Sequence, residues 1–498
     1  MKRDHLTKSL FQSGRQCKKR LWLEVHCRDS MEWSTSAQAQ ADEGTRLGEL
    51  ARKQLGLEVD EERVEVPDSD FDKALAQTYA LLTELPTQLP VLFEAAFEHE
   101  GVRVRVDALM RFMSADRLIE VKAGTKPTED YFWDCALQTW VLRGAGRSVQ
   151  TVSLDLVDSG FVYTHEGDYR ELLALDDYTE QVEALLPQVS ALVADFKAIL
   201  AGSKPDILTG RHCKVPHECP FLRHCSRTEP PAPAYPIKDL PYAKKDQINR
   251  LRASGLADLR EVPDEWLKNP LQHRVVQAAR SGEAFVSSDF VATLEGIGYP
   301  RYYLDFETIA FMVPRWIGTR PYQQVPFQFS CHVEQADGRL EHREFLDLTG
   351  NNPASGFVTA LLAAMGEVGP ILVWNETFEI SRLRELATMF PMHAASLSGF
   401  VERIVDLMKI YKKHYYHRDM HGSWSIKKVL PTIAADLDYG TLKVGDGSAA
   451  QAAYRQAIAP ETTEADREMI RRNLLDYCKR DTEAMVRLTR WHGNLNSQ

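Results

Sequence analysis

The chain has 498 residues, of which 44% are hydrophobic and 26% are charged, and its formal net charge is −11. This length exceeds one ordinary hydrophobic core, so we expect two or three domains. The N-terminal stretch lacks the apolar segment of a signal peptide and apolar runs are too short to span a membrane, which predicts a cytoplasmic protein with no membrane partner. The acidic balance argues mildly against nucleic-acid binding, which a basic surface usually marks.

Two predicted strands in the first third of the chain carry charged residues at a telling spacing. Asp107 is expected to end one strand, and Glu120 and Lys122 lie on the next, where alternation places them on one face. Asp107 and Glu120 can hold a divalent cation, and Lys122 can stabilise negative charge that develops on a phosphate. Asp134 is expected to open the helix that follows, and Gln138 lies on that helix.

This pattern resembles the PD-(D/E)XK nuclease core of RecB-like nucleases and the related CRISPR-adaptation nucleases. The resemblance implies an α/β domain in which Asp107, Glu120 and Lys122 form a catalytic centre, with Asp107 and Glu120 as ligands of Mg²⁺ or Mn²⁺. A short D…E-x-K pattern is also common in exposed salt bridges, which is the alternative interpretation.

Two positions depart from the pattern of these nucleases. Gly48 stands where many relatives have a metal-binding histidine, and the usual tyrosine after Gln138 is absent. Glu43 or Glu49 can substitute for the histidine, and the sequence does not distinguish between them.

The cysteines add a second feature to this part of the chain. Cys213, Cys219 and Cys225 recur at even spacing, and Cys17 begins the domain that they end. Iron–sulfur members of the RecB-like nucleases place one cysteine before the core and three after it, and the similarity implies a 4Fe-4S cluster on these four residues. Structural zinc is the alternative, although the spacing departs from the usual short zinc pairs. The histidines available to zinc are His212, His217 and His224.

The total of eight cysteines in a chain predicted to be cytoplasmic argues against disulfides. The remaining cysteines are predicted to be ordinary buried thiols: Cys27, Cys135, Cys331 and Cys478.

A proline-rich stretch, "RTEPPAPAYPIKDLP", divides the chain, and short amphipathic helices follow it. We therefore predict three parts. An N-terminal PD-(D/E)XK-like domain covers 1–226, a linker and small helical connector cover 227–297, and a C-terminal domain covers 298–498.

The C-terminal part predicts a mixed sheet flanked by helices. The strand "YYLDFET" is followed by a hairpin, then by alternating helices and strands, and finally by a long helix. Asp305 and Glu307 share one face of the first strand, where two carboxylates repel unless a cation lies between them. Hard oxygen ligands of this kind suit Mg²⁺ or Mn²⁺.

Other polar residues continue this pattern along the chain. Glu379 follows Asn375 at a predicted junction of strand and helix, and Tyr477 and Asp481 are four residues apart on one face of the last helix. With Asp305-Phe306-Glu307, this order resembles the DnaQ-like proofreading exonucleases of the ribonuclease H-like fold.

The resemblance implies two-metal cleavage of phosphodiester bonds, in which Tyr477 orients or deprotonates the attacking water. The implied metal ligands are Asp305, Glu307, Glu379 and Asp481. The second acid of that family is normally aspartate, whereas this chain has Glu379, one methylene longer. Asp406 is a reserve acid that can compensate.

A basic segment over residues 409–428 predicts a nucleic-acid-binding surface. The candidate residues are Lys412, Lys413, Arg418, Lys427 and Lys428. Aromatic residues lie among them, so bases could stack there. These aromatic residues are Tyr411, Tyr415, Tyr416 and Trp424. A solvated basic surface is the alternative.

Together the two halves resemble an uncharacterised family of bacterial RecB-family nucleases. The resemblance implies a metal-dependent nuclease that acts on DNA or RNA, exonucleolytically at the C-terminal site, with a second RecB-like centre. One alternative is a nucleic-acid-binding scaffold in which one or both centres are inactive. Another is an enzyme in which the first domain only grips the substrate. The sequence does not identify a protein partner.

Overall fold

A computed structural model describes residues 5–32, 35–56, 63–66, 70–84, 91–112, 115–229, 231–437, 439–440 and 442–492. The chain divides into two compact units. Unit 1 comprises Met1–Glu229 and Phe311–Gln323, and unit 2 comprises Pro230–Ala310 and Gln324–Gln498. Both units combine helices with β-sheet, which confirms the α/β class. In the described ranges, no helix has the length and apolar character needed to cross a membrane.

Unit 1 is built around one sheet with the strand order β2-β3-β4-β5-β6-β7, and β1 pairs with β4. In its described part the strands are β1 (Leu6–Thr7), β2 (Arg63–Glu65), β3 (Val91–His99), β4 (Val102–Phe112), β5 (Ala115–Lys122), β6 (Val149–Val157) and β7 (Leu173–Asp177). The helices are α1 (Lys8–Gln16), α2 (Lys18–His26), α3 (Thr35–Gly56), α4 (Phe71–Glu84), α5 (Glu129–Gly144), α6 (Thr179–Glu183), α7 (Leu186–Ala201) and α8 (Leu222–Thr228).

The core of unit 1 fixes the N-terminal helix against the sheet. Phe11 of α1 is fully buried, and its ring centroid lies 6.4 Å from that of Trp133 on α5 and 5.3 Å from that of Phe196 on α7. Aromatic side chains bury large apolar areas, so contacts of this kind contribute strongly to the stability of a core. The start of α1 and the cysteine at its end are therefore held in place by the domain core.

Two details of unit 1 differ from the sequence prediction. Asp107 does not end its strand, because β4 continues and pairs Ala108 and Leu109 with β5. Asp134 does not open its helix, because α5 begins five residues earlier, where the Thr128 hydroxyl caps it by accepting from the Tyr131 N–H.

Unit 2 contains a mixed sheet and a two-stranded ribbon of β8 with β14. In its described part the strands are β8 (Phe285–Val286), β9 (Arg301–Ile309), β10 (Val325–Glu334), β11 (Leu340–Leu346), β12 (Ile371–Val373), β13 (Ile404–Asp406) and β14 (Tyr415–Tyr416). The helices are α9 (Lys245–Ala253), α10 (Pro270–Ser281), α11 (Phe290–Glu295), α12 (Ala354–Ala364), α13 (Glu376–Met389), α14 (Ala394–Glu402), α15 (Leu407–His414), α16 (Ile426–Val429), α17 (Gly447–Ala457) and α18 (Glu464–Thr489).

The main sheet of unit 2 has the order β11-β10-β9-β12-β13. The first three strands are antiparallel, whereas β9, β12 and β13 run parallel. The predicted hairpin and mixed sheet are therefore confirmed. The helix α18 packs on this sheet, where the Thr482 hydroxyl lies 2.7 Å from Ser330 Oγ and 2.8 Å from His332 Nδ1. These buried hydrogen bonds set the rotation of α18 over β9 and β10.

The predicted connector, 227–297, shares a hydrophobic core with later residues of unit 2. Val275 of α10 and Phe290 of α11 belong to the same buried cluster as Tyr411 and Trp491. The Phe290 ring meets the Tyr411 ring edge-on at 5.0 Å between centroids. The amphipathic pieces of the connector thus bury their apolar faces within unit 2.

The segment Phe311–Gln323 follows β9 in the chain but belongs to unit 1. Its Met312 and Val313 are each 3% exposed and pack in one cluster with Leu47 and Leu172. The sequence prediction had placed this segment in the C-terminal domain, within 298–498.

Candidate functional site

Three carboxylates meet where β9 packs against α18 in unit 2. Asp305, Glu307 and Asp481 each place one carboxylate oxygen within 4.8 Å of the others. Among the described residues, no other group of three or more histidine, cysteine, aspartate or glutamate side chains has this spacing. The sequence singled out all three residues, and the structure brings them together because alternation along β9 and the rotation of α18 point them to one place.

Burial and mutual repulsion raise the pKa values of this acid cluster. Burial, followed by the charge of Asp481, raises the pKa of Glu307 to about 8. Burial and the charges of Asp481 and Glu307 also raise the pKa of Asp305 well above its usual value. The pKa of Asp481 rises to about 6 through burial, against the opposing effect of a hydrogen bond from Tyr439. A bound cation would relieve this repulsion, so the donor set fits a hard divalent ion.

Glu379 lies beside the acid cluster but outside its closest group. It sits in the first turn of α13, is 2% exposed, and its Oε2 has no hydrogen-bond partner among the described residues. Its charge contributes to the raised pKa values of Asp305 and Glu307. Burial raises the pKa of Glu379 itself to about 8. A buried carboxylate oxygen with no donor is costly, so Glu379 is available to a ligand.

Asp406, the reserve acid, is engaged by the backbone. Its Oδ1 accepts the N–H groups of Asn375 and Lys409, both at 3.2 Å, and its Oδ2 accepts the N–H of Glu376 at 3.3 Å. Asp406 therefore caps α15 and ties β13 to the start of α13. These contacts favour a structural role, and of the two candidate acids Glu379 has the freer oxygen.

Tyr477 lies next to the acid cluster, where its hydroxyl is 3.3 Å from Lys427 Nζ. Burial raises its pKa above the usual value, and the charges of Asp481, Glu307 and Asp305 add to this effect. A phenol that keeps its proton can donate a hydrogen bond to a water molecule.

Three contacts at this site were not expected from the sequence. The Tyr439 hydroxyl donates to Asp481 Oδ1 at 2.5 Å. The Cys478 thiol is buried, as predicted, but it lies 3.6 Å from Asp305 Oδ2. Lys427 Nζ lies 3.3 Å from the Tyr477 hydroxyl, and its charge opposes the rise in the pKa of Glu307. No sequence signal marks Tyr439, whereas Cys478 could have been placed by its position beside Tyr477.

A second charged cluster lies in unit 1, around Glu120. Its Oε1 accepts from Lys122 Nζ at 2.7 Å and from Lys8 Nζ at 2.8 Å, while Gln138 donates to Oε2 at 2.7 Å. Lys122 also pairs with Asp134. Although burial acts to raise it, the charges of Lys122 and Lys8 hold the pKa of Glu120 below its usual range.

Asp107 completes this second cluster from β4. Burial, and then the charge of Glu120, raises the pKa of Asp107 to about 7, and its Oδ2 accepts the Val121 N–H at 2.8 Å. Asp107 lines two cavities of about 490 and 380 Å³. Glu94 lines both as well, from a position in β3 with a φ of 56°.

The substitutes proposed for the missing histidine are separated by the structure. Gly48 lines the 380 Å³ cavity together with Asp107, and Glu49 of the same helix is exposed. Glu43 is half-buried, and its charge acts on Tyr322. Neither acid lines the 380 Å³ cavity, whereas Glu94 does.

Lys8 was missed by sequence reasoning, although a signal was present. It is the first residue of α1, where the positive end of the helix dipole disfavours a cation. A lysine at this position therefore suggests an acidic partner elsewhere, which here is Glu120.

The four predicted cluster ligands of unit 1 line one small cavity: Cys17, Cys213, Cys219 and Cys225. Burial raises the pKa of Cys219 to about 11, and it raises the pKa values of Cys213 and Cys225 as well. These four residues are all described, and no three of their sulfur atoms lie within 4.8 Å of one another. The structure thus gathers the four thiols around one cavity, where they can serve as metal ligands.

Contacts from α1 and α2 hold the cysteine loop. Gln16 Nε2 donates to the carbonyl oxygens of His212 at 2.8 Å and His217 at 2.7 Å, and Lys19 Nζ donates to that of Ile207 at 3.0 Å. Since Cys17 lies between Gln16 and Lys19, these contacts bring it to the other three cysteines.

The basic segment does not offer aromatic rings to nucleic acid. Its four aromatic residues are at most 3% exposed and form part of the core of unit 2, so the predicted base stacking is wrong. These aromatic side chains are buried because removing their large apolar area from water stabilises the fold. Among the basic residues, Lys427 lies at the acid cluster, Lys412 lies over the Tyr242 ring and Arg418 pairs with Asp419, whereas Lys413 and Lys428 are exposed.

Residues 302–425 match a family model described as a domain of unknown function (DUF2779). The matched segment begins on β9 and includes Asp305, Glu307 and Glu379, but it ends before α18. No curated protein matches the sequence.

Proposed function

We propose that the protein is a metal-dependent nuclease whose main centre is the acid cluster of unit 2. The observation that carries this proposal is the convergence of Asp305, Glu307 and Asp481 within 4.8 Å. Ionised carboxylates this close repel one another, and Glu307 and Asp481 are buried, so a bound cation would stabilise their ionised form. The DnaQ-like order of the motifs and the strand order of the sheet support a ribonuclease H-like exonuclease domain.

Mg²⁺ or Mn²⁺ held by Asp305, Glu307 and Asp481, with Glu379 as a further ligand, would supply the positive charge that phosphodiester hydrolysis needs. The residues of the chain would do the rest. Tyr477, whose hydroxyl lies beside the acid cluster, would donate a hydrogen bond that orients the attacking water. Tyr439 holds the Asp481 carboxylate in place.

Lys427 would bring positive charge close to the acid cluster, where the substrate phosphate would bind. Its Nζ lies 3.3 Å from the Tyr477 hydroxyl and also donates to the Gly445 carbonyl oxygen at 2.6 Å. Placed there, the ammonium group can contact a phosphate oxygen while offsetting part of the negative charge of the cluster.

Unit 1 would contribute a second, RecB-like centre of the PD-(D/E)XK type. Asp107 and Glu120 would hold a divalent cation, and Lys122 would stabilise charge on the phosphate. The cavities beside Asp107 give a substrate access to this centre. The four cysteines of the same unit would hold a 4Fe-4S cluster that ties α1 and α2 to the end of the unit.

The test is Mn²⁺-dependent cleavage of single- and double-stranded DNA and RNA by the full chain. Asp305→Asn should lower the rate at least a hundredfold, because it removes one ligand from the proposed site. Glu367→Gln, which changes an exposed acid with no ion pair among the described residues, is the matched control and should leave the rate unchanged. Equal rates for wild type and Asp305→Asn would overturn the proposal for unit 2.

The second candidate is a protein in which unit 1 binds nucleic acid but is not catalytic, so that cleavage occurs only in unit 2. It is favoured by the two lysines on Glu120, which neutralise much of the charge that a metal would otherwise bind. In that case Glu120→Gln would leave cleavage unchanged, while Asp305→Asn would abolish it. Tight binding with no cleavage by any variant would assign the scaffold role to both centres.

A further inference from the structure

The segment Phe311–Gln323 forms a closed loop on unit 1. The Tyr322 N–H donates to the Phe311 carbonyl oxygen at 2.8 Å, so the two ends of the loop meet. Gly318 donates to the Tyr163 carbonyl oxygen at 2.7 Å, and Tyr163 donates back to Thr319 at 3.0 Å. Two residues of the loop, Met312 and Val313, are buried against unit 1. The loop therefore has a fixed shape, as compact surface loops whose ends meet often do.

One end of this loop lies at the edge of the charged cluster of unit 1. The Tyr322 hydroxyl donates to the carbonyl oxygen of Ala123, the residue after Lys122. After burial, the charges of Glu43 and Tyr131 raise the pKa of Tyr322 to about 12, which places both groups near its hydroxyl. Tyr131 in turn lies 5.6 Å from Lys122 Nζ. Tyr322 is 41% exposed, so the residue is accessible to a ligand.

The loop carries positive charge that the structure leaves unpaired. Arg315 and Arg320 are exposed, and neither guanidinium has an ion-pair or hydrogen-bond partner among the described residues. The loop contains no acidic residue, in a chain whose net charge is −11. Two unpaired guanidinium groups and an exposed aromatic residue on one loop are the elements of a single-strand binding surface.

We propose that Phe311–Gln323 is a substrate clamp that holds a single strand of nucleic acid at the centre of unit 1. Arg315 and Arg320 contact phosphates, and a base stacks on Tyr322. This proposal rests on the proposed nuclease function and assigns substrate binding to a loop that the chain inserts between β9 and β10. Along the chain the loop follows β9, and it belongs to unit 1.

The test is the affinity of the full chain for a fluorescein-labelled single-stranded oligonucleotide, measured by anisotropy over a range of salt concentrations with Ca²⁺ in place of Mn²⁺. The double variant Arg315→Gln/Arg320→Gln should raise Kd about tenfold. It should also reduce the salt dependence, the slope of log K against log salt, by about 1.4, since each phosphate contact on a single strand contributes about 0.7. Kd and slope equal to those of wild type would overturn the proposal.

The matched control is Arg250→Gln/Arg252→Gln, which removes the same charge from exposed positions of α9. It should change Kd less than twofold and leave the slope unaltered. If control and loop variants weaken binding equally, the effect is one of net charge and the clamp is wrong. A competition experiment tests for a protein partner. If an acidic peptide displaced the oligonucleotide from wild type with an affinity equal to that of the oligonucleotide, and the loop variant no longer bound the peptide, the loop would be assigned to a protein partner. That result would also overturn the proposal.

Two substitutions of Tyr322 separate stacking from anchoring. Tyr322→Ala should weaken binding about fivefold or more, whereas Tyr322→Phe, which keeps the ring and loses the hydrogen bond to Ala123, should stay within twofold of wild type. Equal losses in both variants would rule out stacking. If wild type cleaves nucleic acid but the loop variants bind like wild type, only the clamp fails. If wild type neither binds nor cleaves any nucleic acid, the clamp and the proposed function both fail.

Discussion

Lys8 Nζ donates to Glu120 Oε1 at 2.8 Å, on the same oxygen that accepts from Lys122 at 2.7 Å. Two ammonium groups therefore compete with any cation for that oxygen. The acid cluster of unit 2 differs, because it has three carboxylates and a nearby lysine, Lys427, that does not bind them directly. Within the described part of the chain, the hydrogen bonds of Lys427 Nζ go to Gly445 and Tyr477 and not to these carboxylates. The two centres thus differ in how much negative charge they leave for a metal.

Replacing Lys8 should increase metal binding in unit 1. In Lys8→Met the stem is retained, one ammonium is removed from Glu120, and we expect Mn²⁺ affinity at this centre to rise about tenfold. Isothermal titration calorimetry in an Asp305→Asn background would measure it, since that background weakens the site of unit 2.

Lys18→Met is the control for this substitution, because Lys18 pairs with Asp195 at 2.8 Å on the surface of the same unit. It should leave Mn²⁺ affinity unchanged. A Lys8→Met protein that binds Mn²⁺ no better than Lys18→Met would show that Lys8 does not compete with the metal.

Metal binding to unit 2 should depend on pH. The pKa of Glu307 is raised to about 8 and that of Asp481 to about 6, so both carboxyls are protonated below these values and must lose protons to bind a cation. Mn²⁺ affinity should therefore rise from pH 6 to pH 8.5, with proton release on binding. Calorimetry in two buffers of different ionisation enthalpy measures the released protons. An affinity that is flat over this range, with no proton release, would contradict the raised pKa values.

Asp155 gives a pH dependence of stability that is independent of the metal centres. It lies on β6, is fully buried, and neither carboxylate oxygen has a hydrogen-bond partner among the described residues. Burial raises its pKa to about 7. The folded state therefore holds this proton more tightly than the unfolded state does, and the associated stability is present below pH 4 and is lost as the pH rises through 7.

Asp155→Asn should remove the loss of stability that wild type shows as the pH rises through 7. We expect the variant to be more stable than wild type at pH 8, by on the order of 2 kcal/mol, and the gap to shrink towards pH 5. Urea unfolding in EDTA at both pH values measures the difference, and Asp176→Asn on the exposed face of β7 is the control. A gap that is the same at both pH values would mean that Asp155 does not titrate as its burial requires.

The cysteine site should bind iron and not zinc. Wild type purified without oxygen should contain about four iron atoms per chain, and Cys219→Ser should lose them and unfold more readily, because the cluster links α1 and α2 to the cysteine loop. Cys27→Ser is the control, since Cys27 packs against the hydrophobic cluster that contains Cys219 but does not line the cysteine cavity. Stoichiometric zinc in wild type, or iron loss in Cys27→Ser equal to that in Cys219→Ser, would contradict this assignment.

Periodicity and motif spacing were sufficient for much of the fold and for the acid cluster. The alternation of Asp305 and Glu307 on β9, and the four-residue spacing of Tyr477 and Asp481, are local patterns that survive folding unchanged. The hairpin of β10 and β11 was likewise readable from its strands and turn.

Features that depend on contacts distant in sequence were not predicted. Lys8 reaches Glu120 across 112 residues, and Tyr439 reaches Asp481 across 42. The basic segment misled for a related reason: sequence shows that aromatic residues are present but not whether they pack inside, and Tyr411 and its neighbours are core residues. The sequence of the loop Phe311–Gln323 is that of an ordinary connection, and its assignment to unit 1 comes from contacts such as those with Tyr163 and Leu172.

The most direct test of the central claim is an anomalous difference map from crystals soaked in Mn²⁺. We predict a manganese peak among the carboxylates of Asp305, Glu307 and Asp481. Absence of a peak there, with the three side chains turned away from one another, would contradict the account.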